Sequence, residues 1–297
     1  MSTKIFPIIL LVVCGLSFGV ALILFQARST PESEAFIQTV EFGVWLFMVA
    51  LTCLMMFTTP FILARDLRQL WNYRRGHEAD LIFSVLSLAL LFFVPYIYTN
   101  FLGEGKITYP LAYHSIKVII LFILGFLLVA LPGALGIWLI RLGLIAEFQH
   151  PTVEANTIKD FLHDREMLQR FLLILGTLVA LTTLMTSSLR NAVIVAGAST
   201  PENFPVIGSL IYGAYFTLVL IILYFPAYSQ LLESGRRVRD VYCPLPLPDT
   251  AEWEKVLARR KVLEDTLQLN QSVQQNLQTG IIVLAPMLSG ILSVLLN

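Results

Sequence analysis

Seven long apolar stretches, separated by polar segments, constrain this chain more than any other feature of its sequence. The hydrocarbon core of a bilayer is about 30 Å thick, and a helix needs roughly 20 apolar residues to cross it. A helix also satisfies its own backbone polar groups inside the bilayer, so each stretch is predicted to form a transmembrane helix. The stretches cover about 5–25, 42–64, 81–102, 118–140, 170–190, 205–231 and 277–296.

The charge content agrees with this class of protein. Charged residues make up 13% of the chain, about half of what a soluble domain carries, so most of the chain need not face water. The predicted fold class is an all-α, polytopic transmembrane helix bundle with about seven spans. The last stretch is the weakest, because Pro286 interrupts it. We expect a full span there, with a re-entrant segment as the alternative.

The distribution of Lys and Arg predicts the orientation, because loops on the cytoplasmic side are enriched in these residues. With a cytoplasmic N-terminus, every inner loop is richer in Lys and Arg than every outer loop. Seven spans then place the C-terminus on the outer side. The membrane is predicted to be a bacterial inner membrane or a plasma membrane. The inner residues are Lys4, Arg65, Arg68, Arg74, Arg75, Arg141, Lys159, Arg165, Arg170, Arg236, Arg237, Arg239, Lys255, Arg259, Arg260 and Lys261, and the outer ones are Arg28, Lys106, Lys117 and Arg190.

The sequence predicts three parts. Residues 1–231 form a six-span bundle, residues 232–276 a cytoplasmic segment and residues 277–297 a C-terminal membrane segment. Alternating prolines lie between Cys243 and Pro248 in the cytoplasmic segment. They favour a stiff, extended connector over a proline-rich ligand for a partner groove.

A helix is predicted after these prolines. Asp249 and Glu252 have the character of an N-cap and a capping box, and an apolar stripe of helical spacing follows them. The helix is expected either to pack on the bundle or the inner leaflet, or to dock a cytoplasmic protein partner at 243–268. The two interpretations are equally supported. The stripe consists of Trp253, Val256, Leu257, Leu263 and Leu267.

Uncharged amide side chains lead from this helix into the last apolar stretch. Amides at a membrane entrance suit a water-filled vestibule or hydrogen bonds between the chains of a homo-oligomer. They also suit an ordinary solvated connector, which we favour. The candidates for a pore entrance are Gln271, Gln274, Gln275 and Gln278.

The fifth apolar stretch has one face of small and polar residues. Residues at intervals of three and four share one side of a helix, where they either line a pore or let neighbouring helices pack closely. We favour packing, with hydroxyl groups bonded to their own backbone. We also expect Arg190 at the outer interface, although a helix shifted outward would place it inside the membrane. The face comprises Gly176, Ala180, Thr183, Ser187 and Arg190.

Pro132 and Gly133 form the strongest candidate for a helix break. Proline removes a backbone hydrogen bond, and a broken helix frees carbonyl groups for a ligand or an ion, as in transporters. Proline and glycine are also common in membrane helices, so we favour an ordinary kink.

The tetrapeptide Ser-Thr-Pro-Glu occurs twice, at 29–32 and at 199–202, each time before an apolar stretch. Thr30 and Thr200 are the expected helix N-caps, each followed by proline at the first helical position. The repetition indicates either independent helix capping or a parallel duplication bridged by the fourth span.

No motif for catalysis, a cofactor or a metal stands out. The run Gly15-Leu-Ser-Phe-Gly19 matches a nucleophile elbow in letters, but that motif needs a strand before the turn. Inside a membrane helix the same spacing of glycines favours close packing. The three cysteines have no metal-binding spacing, and a net charge of zero gives no basic field for nucleic acid. We therefore expect no enzyme activity, no cofactor and no nucleic-acid partner.

Three functions remain. The preferred one is a passive pore, channel or transport path, including an oligomeric pore or a membrane-permeabilising effector, which the polar face and the amide run favour. The second is a non-conducting scaffold or accessory subunit that acts through residues 232–276. The third, an intramembrane enzyme, is least favoured, because the centres of the spans lack Asp, Glu, Lys and His.

Overall fold

The computed structural model describes residues 5–97, 109–148, 156–245 and 253–269, and these residues are almost entirely helical. Within them no strand occurs, which confirms the all-α prediction. A 3₁₀ turn extends α3, and a π-helical turn joins α5 to α6. The helices are α1 (Ile5–Leu24), α2 (Pro31–Ile37), α3 (Val40–Leu70), α4 (Glu78–Ile97), α5 (His114–Gly125), α6 (Leu131–Phe148), α7 (Thr157–Val195), α8 (Val206–Tyr242) and α9 (Trp253–Thr266).

Six helical segments in the described part of the chain are long and apolar enough to cross a membrane. The prediction of a polytopic helical bundle is therefore confirmed, while the predicted seventh span at 277–296 lies outside the described residues. The six segments are Pro7–Leu24, Val40–Arg74, Glu78–Ile97, His114–Phe148, Thr157–Val195 and Val206–Tyr242.

Most of these helices extend well beyond the predicted spans. The 39 residues of α7 measure roughly 58 Å, almost twice the thickness of the hydrocarbon core. The apolar pattern stops at the first charged residue, but backbone hydrogen bonds continue past that point. For the same reason α8 continues to Tyr242, so the predicted cytoplasmic segment begins inside a helix.

Contacts between helix ends define two ends of the bundle. At one end, Arg170 of α7 donates to the Asp66 carboxylate of α3 at 2.5 Å, and the Ser234 hydroxyl of α8 donates to the Leu144 carbonyl of α6 at 3.4 Å. We call this the basic end, because most of the described Lys and Arg residues lie there. At the opposite end, the described Lys and Arg residues are Arg28, Lys117 and Arg190. This asymmetry is typical of a cytoplasmic basic end, and the orientation stays a prediction.

The helix α7 lies in the middle of the bundle, where it contacts α3, α6 and α8. Glycines of α6 allow the closest of these approaches. A methyl group at Gly136 would lie 2.2 Å from a ring carbon of Phe171, and one at Gly133 would lie 2.7 Å from Leu175. Because protein interiors are packed as densely as organic crystals, the centre of the bundle is filled by side chains of this kind.

The glycines of the first apolar stretch lie against α3. A methyl group at Gly15 would lie 2.8 Å from the Leu54 Cα atom, and one at Gly19 would lie 3.0 Å from the Ala50 Cα atom. The two backbones therefore approach as the G-x-x-x-G spacing predicts.

Two buried cations hold chain segments together at the opposite end. The Lys117 ammonium group of α5 donates to the carbonyl oxygens of Ile23 and Phe25, at 2.9 and 2.7 Å, where α1 ends. The Arg190 guanidinium group of α7 donates to the Phe204 carbonyl at 2.6 Å. The last carbonyls of a helix have no partner within it, so Lys117 supplies donors that the end of α1 lacks, and Arg190 supplies one to the turn before α8.

Arg190 ends the uncharged part of α7 that begins after Arg170, and mostly apolar residues follow it to Val195. It follows Arg170 by about 20 residues, which corresponds to roughly 30 Å of helix, the thickness of a hydrocarbon core. This spacing favours the interfacial position for Arg190 over one inside the membrane.

Both Ser-Thr-Pro-Glu copies form the same local turn, but only one begins a helix. The Thr30 hydroxyl accepts from the Ser33 amide at 3.2 Å and caps α2, which confirms this N-cap. The Thr200 hydroxyl accepts from the Asn203 amide at 3.4 Å, but α8 begins only at Val206. The expected helix N-cap at Thr200 is therefore wrong, and the duplication stays a prediction.

The turn after α1 contains a strained glutamine. Gln26 has a φ of 49°, a left-handed conformation that glycine adopts without steric cost. We expect Gln26→Gly to stabilise the protein by about 1 kcal/mol, whereas Gln26→Val should destabilise it. Reversible unfolding in mixed detergent micelles would measure both changes, and equal stabilities of the two variants would contradict this expectation.

Candidate functional site at the basic end

The helix α9 is attached to the basic end of the bundle by a buried arginine. The Arg165 side chain of α7 is only 5% exposed, and its guanidinium group donates to the carbonyl oxygens of Leu267 and Gln268, at 2.6 and 3.1 Å. Leu267 is itself fully buried. A buried charge is costly unless it is hydrogen-bonded, so the end of α9 is part of the environment that Arg165 requires.

The way in which α9 ends explains why these carbonyls face an arginine. Gln268 has a φ of 53°, and the amide of Leu269 donates back to the Glu264 carbonyl at 2.9 Å. This is the bonding pattern of a Schellman motif, which turns the chain sharply out of the helix. The turn directs the carbonyls of Leu267 and Gln268 towards α7, where Arg165 supplies the missing donors.

A notch in α8 receives the side chain that follows this turn. Gly235 is buried, and a methyl group there would lie 2.5 Å from Leu269 and 2.8 Å from the Phe161 ring of α7. The absence of a side chain at Gly235 is thus what lets α7, α8 and the end of α9 meet. We call Phe161, Arg165 and Gly235 the α9 socket.

Two further arginines fix α9 to the end of α8. Arg239 of α8 donates to the Glu264 carboxylate of α9 at 2.7 Å, and both side chains are largely buried. Arg260 of α9 contacts the Asp240 carboxylate and donates to the Cys243 carbonyl at 2.8 Å. Ion pairs that are partly shielded from water fix the orientation of a helix better than fully exposed pairs, which contribute little to stability. The position of α9 is therefore set along its length.

The predicted apolar stripe of α9 mostly faces the bundle. Trp253, Val256, Leu263 and Leu267 are partly or fully buried, whereas Leu257 is exposed. Packing of this helix on the bundle is thus confirmed. The predicted N-cap at Asp249 and Glu252 lies outside the described residues, as do Gln271, Gln274, Gln275 and Gln278.

The residues of the predicted polar face of α7 are buried or half-buried. Thr183 is 1% exposed, and its hydroxyl donates to the Val179 carbonyl at 2.8 Å. The hydroxyls of Thr182 and Thr186 make the same type of bond to their own helix. The pore stays a prediction, but these hydroxyls face their own backbone, as the packing interpretation expects. Of the other residues of this face, Gly176 and Arg190 are buried, and Ala180 and Ser187 are half-buried.

The helix continues through Pro132 and Gly133. A π-helical turn at Phe126–Ala130 ends two residues before the proline, and the Leu131 amide donates to the Phe126 carbonyl five residues earlier. A π-helical turn contains one extra residue, which lets the helix accommodate the proline without an interruption. Gly133 packs against Leu175, so this part of α6 forms a helix contact.

Two groups at the basic end were missed by sequence reasoning. Asp66 is buried and paired with Arg170, which the sequence analysis considered only as an inner-side cation. Arg165 lies on the same helix face as Phe161 and Leu168, four residues after one and three before the other. A cation inside an apolar stripe of helical spacing is the signal that could have identified it.

No protein-family model matches the chain, and comparisons with characterised proteins and with solved structures give no match. In the described part of the chain, no group of three or more His, Cys, Asp or Glu side chains could hold a metal ion. The function is therefore inferred from the residues of the chain itself.

Proposed function

We propose that the chain is a membrane-embedded scaffold or accessory subunit that holds α9 on its basic end and presents the outer face of α9 to a protein partner. The observation that carries this proposal is the α9 socket, in which the buried Arg165 binds the carbonyls of the two residues that follow α9. A passive pore would not need such a clamp on an extramembrane helix.

The docked helix is already ordered before a partner arrives. Arg165, Arg239 and Arg260 hold it at three points. Binding normally costs free energy for ordering a flexible segment, and a helix held in place avoids most of that cost. The fixed position of α9 thus supports a role in recognition.

The outer face of α9 carries apolar side chains suited to a protein contact. Val262 is 66% exposed, and Leu257 and Ala258 lie one turn before it and are also exposed. Ala258 and Val262 form one continuous patch, because residues four apart on a helix are neighbours, and Leu257 lies at the edge of this patch. An apolar centre surrounded by a polar rim is typical of a protein interface.

The first experiment separates a scaffold from a pore. The purified full-length protein is placed in liposomes, and ion and dye release are measured at several protein-to-lipid ratios. We expect release equal to that of empty liposomes. Release that rises with protein content would overturn the scaffold proposal and support the pore.

The second experiment tests the outer face of α9. A photo-crosslinking amino acid at Val262 should give an adduct with a second protein in cells, whereas the same label at Leu263, which packs inward, should react within the chain. Leu257→Ser should remove the adduct at 262 and the complementation of a deletion strain. The matched control, Leu257→Met, keeps an apolar side chain at the same position and should preserve both. Full complementation by Leu257→Ser would count against the proposal.

A further inference from the structure

A second feature of the basic end is a group of exposed arginines where α3 leaves the apolar zone. Phe61 and Ile62 are exposed, and Arg65 and Arg68 follow them on the same side of the helix. The exposed surface of α3 thus changes from apolar to cationic within about one turn. A change of this kind marks the boundary between hydrocarbon and headgroups.

The 3₁₀ turn after α3 continues the cationic surface. Trp71 is 39% exposed, and the Arg74 guanidinium carbon lies 4.3 Å from the centre of its ring. Arg75 follows and is exposed. Tryptophan is enriched at membrane interfaces, where its ring lies among the headgroups.

The exposed charges that residues 65–75 contribute have one sign. Within 65–75 the acidic residue is Asp66, which is buried and paired with Arg170 from the bundle. Among the described residues, no ion pair involves Arg65, Arg68 or Arg75. The acidic side chain that α6 brings to this segment, Glu147, bonds to the Tyr73 hydroxyl, and the three arginines stay outside the ion pairs of the described residues.

Acidic residues resume only after the chain has turned. Gly76 has a φ of 83° and reverses the chain into α4. Glu78 and Asp80 then lie in the first turn of α4, where their negative charges interact favourably with the helix dipole. A carboxylate oxygen of Asp80 lies 3.6 Å from the Nδ1 atom of His77. Beyond them the surface of α4 is again apolar and exposed, with Phe83 as its most exposed side chain.

The contact between α3 and α7 gives the depth of this surface. Asp66 bonds to Arg170, and Arg170 lies at one end of the apolar stretch of α7 that spans roughly 30 Å. The arginines next to Asp66 are therefore at the level of the headgroups.

We propose that Arg65, Arg68, Arg74 and Arg75, together with Trp71, form a surface that binds the phosphate groups of anionic phospholipids in the adjacent leaflet. All four cations are arginines, whose planar guanidinium groups bind phosphate through two parallel hydrogen bonds. The exposed apolar faces of α3 and α4 on either side would contact the acyl chains of the same lipids. This surface is separate from α9, so the proposal is independent of the proposed scaffold function.

Native mass spectrometry of the full chain tests this surface. The protein is released from nanodiscs that contain equal amounts of phosphatidylglycerol and phosphatidylcholine, and the bound lipids are counted. We expect the wild type to retain phosphatidylglycerol preferentially. The variant R65Q/R68Q/R74Q/R75Q should lose this preference by about tenfold or more, because each interfacial cation attracts anionic lipid.

A matched control removes four other exposed cations of the basic end, in the variant K159Q/R236Q/K255Q/R259Q. It should keep the preference within about twofold, because its cations lie outside the arginine surface. A variant with the four arginines replaced by lysine should retain part of the preference, since it keeps the charge but not the paired hydrogen bonds. Equal loss in the glutamine variant and the control, or no loss in either, would overturn the proposal. Thermal unfolding of every variant identifies any that fail to fold.

Discussion

Replacing Arg165 by methionine should strongly weaken the docking of α9 on the bundle while leaving the spans folded. The guanidinium group makes hydrogen bonds to two carbonyls at the end of α9. Hydrogen bonds to a charged group contribute about 1.5–3 kcal/mol each, so the loss of both corresponds to roughly 3 kcal/mol, or a shift of more than 100-fold in the docking equilibrium. Hydrogen exchange should therefore show the amides of 253–269 losing protection by about two orders of magnitude.

The rest of the bundle should respond much less to the same substitution. Methionine has a similar length and carries no charge, so it removes the cost of burying a cation as well as the hydrogen bonds. We expect the unfolding transition of the spans to move by about 1 kcal/mol or less. Arg259→Met, which changes an exposed arginine of α9, serves as the control and should leave the exchange of α9 unchanged. Unchanged protection of α9 in Arg165→Met would show that the clamp does not hold the helix.

The membrane-spanning class of this fold could be predicted from the sequence with little difficulty. Six predicted spans correspond to helices of the described part of the chain, because uncharged apolar stretches of bilayer length have few other stable structures. The ends of the helices could not be predicted in the same way. The helix α7 begins at Thr157, well before Arg170, because a charged side chain does not interrupt backbone hydrogen bonding.

The buried cations show why the candidate site was harder to predict. Lys117, Arg165 and Arg190 all bind backbone carbonyls. A carbonyl group is the same at every residue, so the sequence contains no complementary acidic residue that would identify the partner. Only the fold brings Arg165 next to Leu267, about a hundred residues later in the chain.

Glycine packing between α6 and α7 should respond strongly to the addition of a single methyl group. In Gly136→Ala the new carbon would lie 2.2 Å from one ring carbon of Phe171 and 2.3 Å from the next. Phe171 is fully buried, so the ring cannot move aside without shifting its neighbours. Overpacking of this kind lowers the free energy of unfolding by about 3 kcal/mol, and the better helix propensity of alanine raises it by about 1 kcal/mol. The expected net loss of stability is therefore about 2 kcal/mol.

The chain provides a matched control for this prediction in the glycine at 208, which lies in α8 and has open space around it. Gly208→Ala should be neutral or stabilise the protein by up to about 1 kcal/mol, because helix propensity is the only term that changes. The double variant Gly136→Ala with Phe171→Leu removes the ring edge that the methyl group would meet. It should show a favourable coupling of about 1–2 kcal/mol in a double-mutant cycle of unfolding free energies in mixed micelles. If Gly136→Ala and Gly208→Ala were equally stable, the tight contact between α6 and α7 would be wrong, and with it the description of α7 as the packed centre of the bundle.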